Sequence, residues 1–178
     1  MRKRVLFELG RLSVNDFKAV QKLPFVVVLN NVRSMHNVGS MIRTCDAFLC
    51  HKMVLCGITG TPPHREITKT AIGAENSVQW EYQASTVDAI VKLKELNYHI
   101  VAIEQTDESK LLQHTSFSHQ NIAFIFGNEI DGIEDAVLAL CDESVEIPQL
   151  GTKHSFNVAV SCGMVLWEFA RKRFELAQ

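Results

Sequence analysis

The sequence predicts an α/β domain built on a mainly parallel β-sheet with helices on both faces. Four short apolar runs, Phe25–Leu29, Met53–Cys56, Ile100–Ile103 and Ile122–Phe126, contain no polar interruption, the pattern of strands covered on both sides. Between them, apolar residues return every three or four positions, as on helices with one buried stripe. Strands alternating with helices imply a parallel sheet. Polar, glycine-containing clusters follow several of the runs, at the strand ends where open parallel sheets bind ligands.

Taken in chain order, residues 13–22 predict a leading helix, with Ser13 and Asp16 as a capping pair and Pro24 as its stop. After the first strand, Val38, Met41, Ile42, Cys45, Phe48 and Leu49 mark an amphipathic helix, for which Asn37 is a natural N-cap. Further strands are expected at Ser77–Tyr82 and Ser144–Ile147. Helices are expected at Thr86–Asn97 and Glu134–Cys141, and a loop or short helix over residues 105–120. The last segment has two apolar stripes: Val158, Cys162, Val165, Leu166 and Phe169 form one, and Val160, Met164 and Trp167 the other. A helix apolar on two sides is buried on two sides, the second against a partner subunit or inside the domain.

The 178 residues fit one domain, with residues 1–24 as a helical extension and 25–173 as the core. Charged residues at 21% and hydrophobic ones at 47% exclude a disordered or collagen-like chain. No apolar stretch approaches the 18 residues or so of a membrane span, and Glu8 interrupts the basic start too early for a signal peptide. Five scattered cysteines without a CxxC pair fit a reducing cytoplasm. The Cys45, Cys50, His51 and Cys56 set matches no zinc spacing, and Cys45 falls on a helix's apolar face and Cys56 in a strand, so no metal is expected. GxGxxG and GxxxxGK[ST] are both absent, which removes support for NAD and ATP sites. A net charge of −2 disfavours indiscriminate coating of nucleic acid.

Three clusters hold the candidate site. In Asn37–Cys45 (NVGSMIRTC), Arg43 lies one helical turn after Gly39, and helical side chains lean toward the N-terminus. The absent side chain at Gly39 is expected to let the guanidinium reach the helix start. In Phe126–Ile133 (FGNEIDGI), Gly127 allows backbone to approach a ligand and Glu129 offers a carboxylate. In Ile147–Ser161 (IPQLGTKHSFNVAVS), a glycine turn leads into a helix, with Ser155 and Asn157 at its opening among outward-pointing N–H groups.

These three motifs, in order, resemble the SpoU/TrmH-type branch of the SPOUT superfamily, ribose 2′-O-methyltransferases of RNA. The first runs from Asn31-Val-Arg33 through Asn37-x-Gly39-x-x-x-Arg43-Thr44, the second over Phe126–Ile133, and the third from Ile147-Pro148 through Ser155-Phe156-Asn157-Val158-Ala159. The stretches Thr70–Ala74 and Glu104–Thr106 are also similar to the family's. The resemblance implies a SPOUT-type fold with a C-terminal deep trefoil knot, S-adenosyl-L-methionine as methyl donor, a homodimer, and tRNA or rRNA as substrate. It further implies that Asn37, Arg43, Glu129, Ser155 and Asn157 are catalytic. Gln105, Gly127, Ile147, Leu150, Phe156 and Val158 would contact the donor. The non-catalytic alternative is an RNA-binding or assembly protein of the same fold.

Methyl transfer is an in-line displacement by a ribose oxygen, so the protein must align the partners and help the hydroxyl lose its proton. A guanidinium is permanently charged under ordinary conditions. Arg43 is therefore expected either to stabilise developing alkoxide charge or to hold a phosphate bidentately. Arg33, Arg65, Lys69 and Lys153, in or near the motif loops, are the expected RNA-binding cations.

Overall fold

The apolar runs form the middle of one sheet in the computed structural model of the chain, which describes residues 1–176. The elements are α1 (Val14–Ala19), β1 (Leu23–Asn30), α2 (Met35–Ala47), β2 (Cys50–Cys56), α3 (Arg65–Ala71), β3 (Trp80–Gln83), α4 (Thr86–Glu95), β4 (His99–Ile103), β5 (Lys110–Leu111), β6 (Ile122–Phe126), α5 (Asp135–Leu138), β7 (Glu143–Glu146) and α6 (Val158–Leu176). Among the described residues, seven strands pair in parallel in the order β3-β2-β1-β6-β4-β7-β5. The central pair, β1 and β6, is buried on both faces. Phe25, Val27 and Leu29 meet Met41 and Ile42 of α2, Ile67 of α3 and Phe169 of α6. Val26 and Val28 meet Ile90 and Leu93 of α4 and Val137 of α5.

The larger core is locked by rings. Phe169 packs edge-on against Phe25 and Phe124 with centroids 5.2 and 5.4 Å apart, and Phe117 stands edge-on to Phe124 at 5.4 Å. Such pairs add about 0.5–1.5 kcal/mol each beyond the area they bury. They fix α6 across the sheet and so fix where its first turn points.

Several sequence expectations shift for identifiable reasons. The leading helix is shorter than 13–22: Ser13 does cap it, accepting from Asp16 N. Leu23 N already donates to Leu49 O, however, which draws the chain into β1 before Pro24. The N-cap of α2 is Ser34, whose hydroxyl accepts from Asn37 N at 3.3 Å, leaving the Asn37 amide free for other contacts. The strand expected at 77–82 starts at Trp80, because Ser77 closes a 3₁₀ turn and donates its hydroxyl to Asp46 at 2.7 Å. Within 105–120 lie a two-residue strand and a 3₁₀ turn at Leu112–His114. The expected helices over 86–97 and 134–141 end at Glu95 and Leu138. No sequence signal marked α3, whose only buried residues are Ile67 and Ala71.

Gly39 serves the docking of α3, not the reach of Arg43. A Cβ there would stand 2.1 Å from Thr70 Oγ1 and 2.3 Å from the Ile67 carbonyl oxygen. Gly39→Ala is expected to destabilise the chain by about 2 kcal/mol, the scale of overpacking a tight contact. Gly163, also helical but with open space around it within the single chain, should stabilise the monomeric chain by up to about 1 kcal/mol on conversion to Ala. Urea unfolding of the two variants reads both signs.

Candidate active site

Beyond the carboxyl ends of β4, β6 and β7 lies a cleft of about 470 Å³, within the range of small-ligand sites. Its apolar walls include Ile103, Ile133, Leu138, Val145, Phe156 and Val158. Glu104, Glu129, Asp131 and Glu146 supply four carboxylates, and among the described residues no Lys or Arg lines it. The cleft therefore favours a ligand with an apolar body and positive charge.

Local backbone geometry explains the glycines on its wall. A Cβ on Gly127 would lie 2.4–2.5 Å from the backbone of Gly132 and Ile133. That close approach closes a small loop: Asn128 N donates to Gly132 O at 2.9 Å and Gly132 N to Asn128 O at 3.0 Å. Gly132 takes a left-handed φ of 70°, and Glu104 Oε2 accepts from Ile133 N at 3.0 Å. Across the cleft, Gln105 Nε2 donates to His154 O at 2.7 Å, and Gln149 Nε2 to the same oxygen at 3.2 Å. The 147–157 segment is thus tied down over the ends of the strands.

Glu129 is the hub. Its Oε2 accepts from Arg33 N at 3.1 Å, and its Oε1 from Ser34 N at 3.1 Å and Asn37 Nδ2 at 3.0 Å. Asn37 Oδ1 then accepts from Asn157 Nδ2 at 3.1 Å. Asn157 Oδ1 caps α6 by accepting from Ala159 N and Val160 N. Partial burial alone pushes the Glu129 pKa up. The N–H groups of Arg33, Asn37 and Ser34, with its own backbone N–H, outweigh this and hold it below its ordinary 4.5.

A family model for the SpoU rRNA methylases matches residues 24–167. The chain belongs to the SpoU rRNA methylase family. A 23S rRNA (guanosine-2′-O-)-methyltransferase of Neisseria meningitidis is 32% identical over 150 residues, 84% of this chain and 59% of that protein. A tRNA (guanosine(18)-2′-O)-methyltransferase of Thermus thermophilus is 27% identical over 175 residues, 98% of this chain and 88% of that protein. The crystal structure of an A. aeolicus TrmH/SpoU tRNA modifying enzyme shares the fold with a TM-score of 0.82 at 24% identity, covering 92% of this chain and 84% of that one. The AviRb methyltransferase of Streptomyces viridochromogenes, solved with AdoMet, matches with a TM-score of 0.79 at 22% identity, over 90% and 64% of the two chains.

On this SpoU-family scaffold, the three motifs do converge. Gln105, Gly127, Glu129, Ile147, Ser155, Phe156 and Val158 line the cleft, and Asn37 and Asn157 join it through Glu129. Leu150 does not: Gln149 lines the cleft and leaves its neighbour Leu150 fully exposed. Arg43 is exposed on α2 and, among the described residues, makes no hydrogen bond or ion pair. Arg65 and Lys69, 94% and 67% exposed, flank Glu66 at 3.9 Å, and Glu66 also meets His36 at 2.5 Å. Arg33 and Lys153 are exposed as well. Sequence reading assigned no role to Asn30, Asn128, Glu104 or Glu134, which brace the loops, Glu104 and Asn128 from the cleft wall and Asn30 and Glu134 from outside it. The sole hint for Asn30 was an amide ending an otherwise apolar run.

Because folding lowers the Glu129 pKa, its stabilisation is complete above the ordinary value and fades as pH falls through the lower folded one. Glu129→Gln should lose about 1 kcal/mol at pH 7, allowing for solvent screening. Denaturant unfolding at pH 7 and pH 3 should show that gap closing in acid.

Proposed function

We propose that this chain transfers a methyl group from S-adenosyl-L-methionine to a ribose 2′-hydroxyl of tRNA or rRNA, as a homodimer in a reducing cytoplasm. The observation that carries this reading is a cleft with four carboxylates and, among the described residues, no lysine or arginine, joined to the Glu129–Asn37–Asn157 chain of hydrogen bonds. The fit is chemical: a cationic sulfonium suits the carboxylates, and a flat purine suits the apolar walls. The names of the Neisseria and Thermus relatives specify ribose methylation of guanosines in rRNA and tRNA, which supports the reaction class. Bound in the cleft, the donor supplies an activated methyl group.

Gln105, Gly127, Ile147, Phe156 and Val158 hold the donor in this reading. Glu129, Asn37 and Asn157 form a fixed amide–carboxylate platform at the head of α6, where a ribose is oriented without reorganisation at the moment of reaction. Ser155 orients a neighbouring phosphate or the donor. Asn37, Ser40 and Arg43 follow at three-residue spacing along α2. Arg43, leaning toward the helix start, stabilises developing charge on the ribose oxygen or grips an adjacent phosphate. Arg33, Arg65, Lys69 and Lys153 meet the RNA backbone outside the cleft. The trefoil knot belongs to the same reading, supported by the anchoring of 147–157 through His154 O and Asn157.

The dimer rests on the outer stripe of α6. Val160 and Trp167 are 48% and 57% exposed, and the Trp167 ring lies tilted beside Phe48 with centroids 6.4 Å apart. An isologous contact on this stripe is the commonest way to cover such a face.

Incubation with methyl-tritiated donor and total tRNA or rRNA should place label in 2′-O-methyl nucleotides, and Arg43→Ala should lose at least about 100-fold in rate while still binding donor. Donor binding without label in any RNA would favour the non-catalytic alternative. Trp167→Arg should convert the wild-type species from twice the chain mass to the chain mass in sedimentation equilibrium.

A further inference from the structure

Glu134 occupies the N-cap position of α5 yet makes no capping hydrogen bond. Glutamate is outside the usual N-cap set of Ser, Thr, Asp and Asn, so its side chain has another use. Its Oε1 accepts from Asn31 Nδ2 at 2.9 Å and its Oε2 from Asn30 Nδ2 at 3.4 Å. The contact with Asn30 is reciprocal, because Glu134 N donates to Asn30 Oδ1 at 3.3 Å. Asn30 is fully buried at the end of β1 and also donates to Thr86 Oγ1 at 2.8 Å.

The segment so gripped is the one that feeds the site. Asn31 is held at a left-handed φ of 56°, a conformation asparagine tolerates better than most residues. Its Oδ1 accepts from Ile58 N at 3.0 Å, and its carbonyl accepts from Asn128 Nδ2 at 2.8 Å. Val32 N donates to Thr59 Oγ1 at 3.0 Å. The next two N–H groups, Arg33 and Ser34, are the donors to Glu129. One stretch of chain, from the end of β6 to the head of α5, therefore clamps residues 30–34 with two carboxylates, Glu129 on one side and Glu134 on the other.

We propose that Glu134 is a positioning residue that fixes the left-handed turn at Asn31, and through it the Glu129–Asn37–Asn157 platform. Its effect on catalysis rests on the methyl-transfer reading above; its effect on the loop does not. Glu134→Ser supplies a preferred cap to α5 and removes the clamp. Amide hydrogen exchange, measured without donor or RNA, should speed up about tenfold at Arg33 and Ser34, with the melting temperature unchanged or raised. In the methylation assay kcat should fall about tenfold through misplacement, with the KM for donor nearly constant. Asn31→Ala combined with Glu134→Ser should lose clearly less than the sum of the two single variants, because the Asn31–Glu134 contact is common to both. Wild-type exchange at Arg33 and Ser34, accelerated exchange with wild-type kcat, or additive losses would overturn the proposal. A wild-type chain that methylates no RNA would sink the methyl-transfer reading alone, leaving the exchange measurement to decide the role of Glu134.

Discussion

The carboxylate of Glu129 gathers N–H groups from three residues around the start of α2, and everything about the candidate site follows from that convergence. Arg33 and Ser34 give backbone donors and Asn37 gives its side-chain amide. A single anion thereby welds the end of β6 to the start of α2. Charge-assisted hydrogen bonds of this kind are roughly twice as strong as neutral ones. The weld also dictates which way the Asn37 amide faces: its N–H points to Glu129, so its oxygen is left for Asn157. Orientation passes from residue to residue without a flexible link, and the first turn of α6 inherits it.

Charge is divided between two regions. The cleft holds carboxylates and no fixed cation, whereas Arg33, Arg65, Lys69 and Lys153 all lie exposed outside its lining. A polyanion is repelled by the one and attracted by the other, and a cationic small molecule the reverse. Under the proposed function, the two substrates are thus sorted by sign before any shape is matched, which is consistent with a chain whose total charge is only −2. Glu66 tempers the cationic region by sitting among His36, Arg65 and Lys69.

The centre of the fold was legible because burial on both faces leaves a coarse mark. Strands such as FVVVL and IAFIF cannot be read as half-exposed. The amphipathic faces of α2 and α4 were equally plain. The parts that escaped notice lack that mark: α3 buries only Ile67 and Ala71, and β5 is two residues long on the sheet edge. At the site, the motifs identified the residues lining the cleft but not how they are held. Gly39 illustrates the gap. Its sequence position suggested room for Arg43, whereas its actual neighbours are Thr70 and Ile67, contacts from a helix whose presence was itself unmarked. Hydrogen bonds spanning roughly a hundred residues, such as Asn31 to Glu134, leave no local periodicity to detect.

Helix α6 begins at the amide of Asn157 and runs without interruption to its far turns, where Phe169 enters the ring cluster and Lys172 and Arg173 bind the carbonyls of Thr115 and His119. At about 1.5 Å per residue, Trp167 lies about 15 Å along the same rod from Asn157. Whatever seats itself on that outer stripe presses on a stiff lever whose tip is the candidate site. Under the proposed function, quaternary pairing and active-site alignment share one mechanical part, so neither can drift without the other registering it.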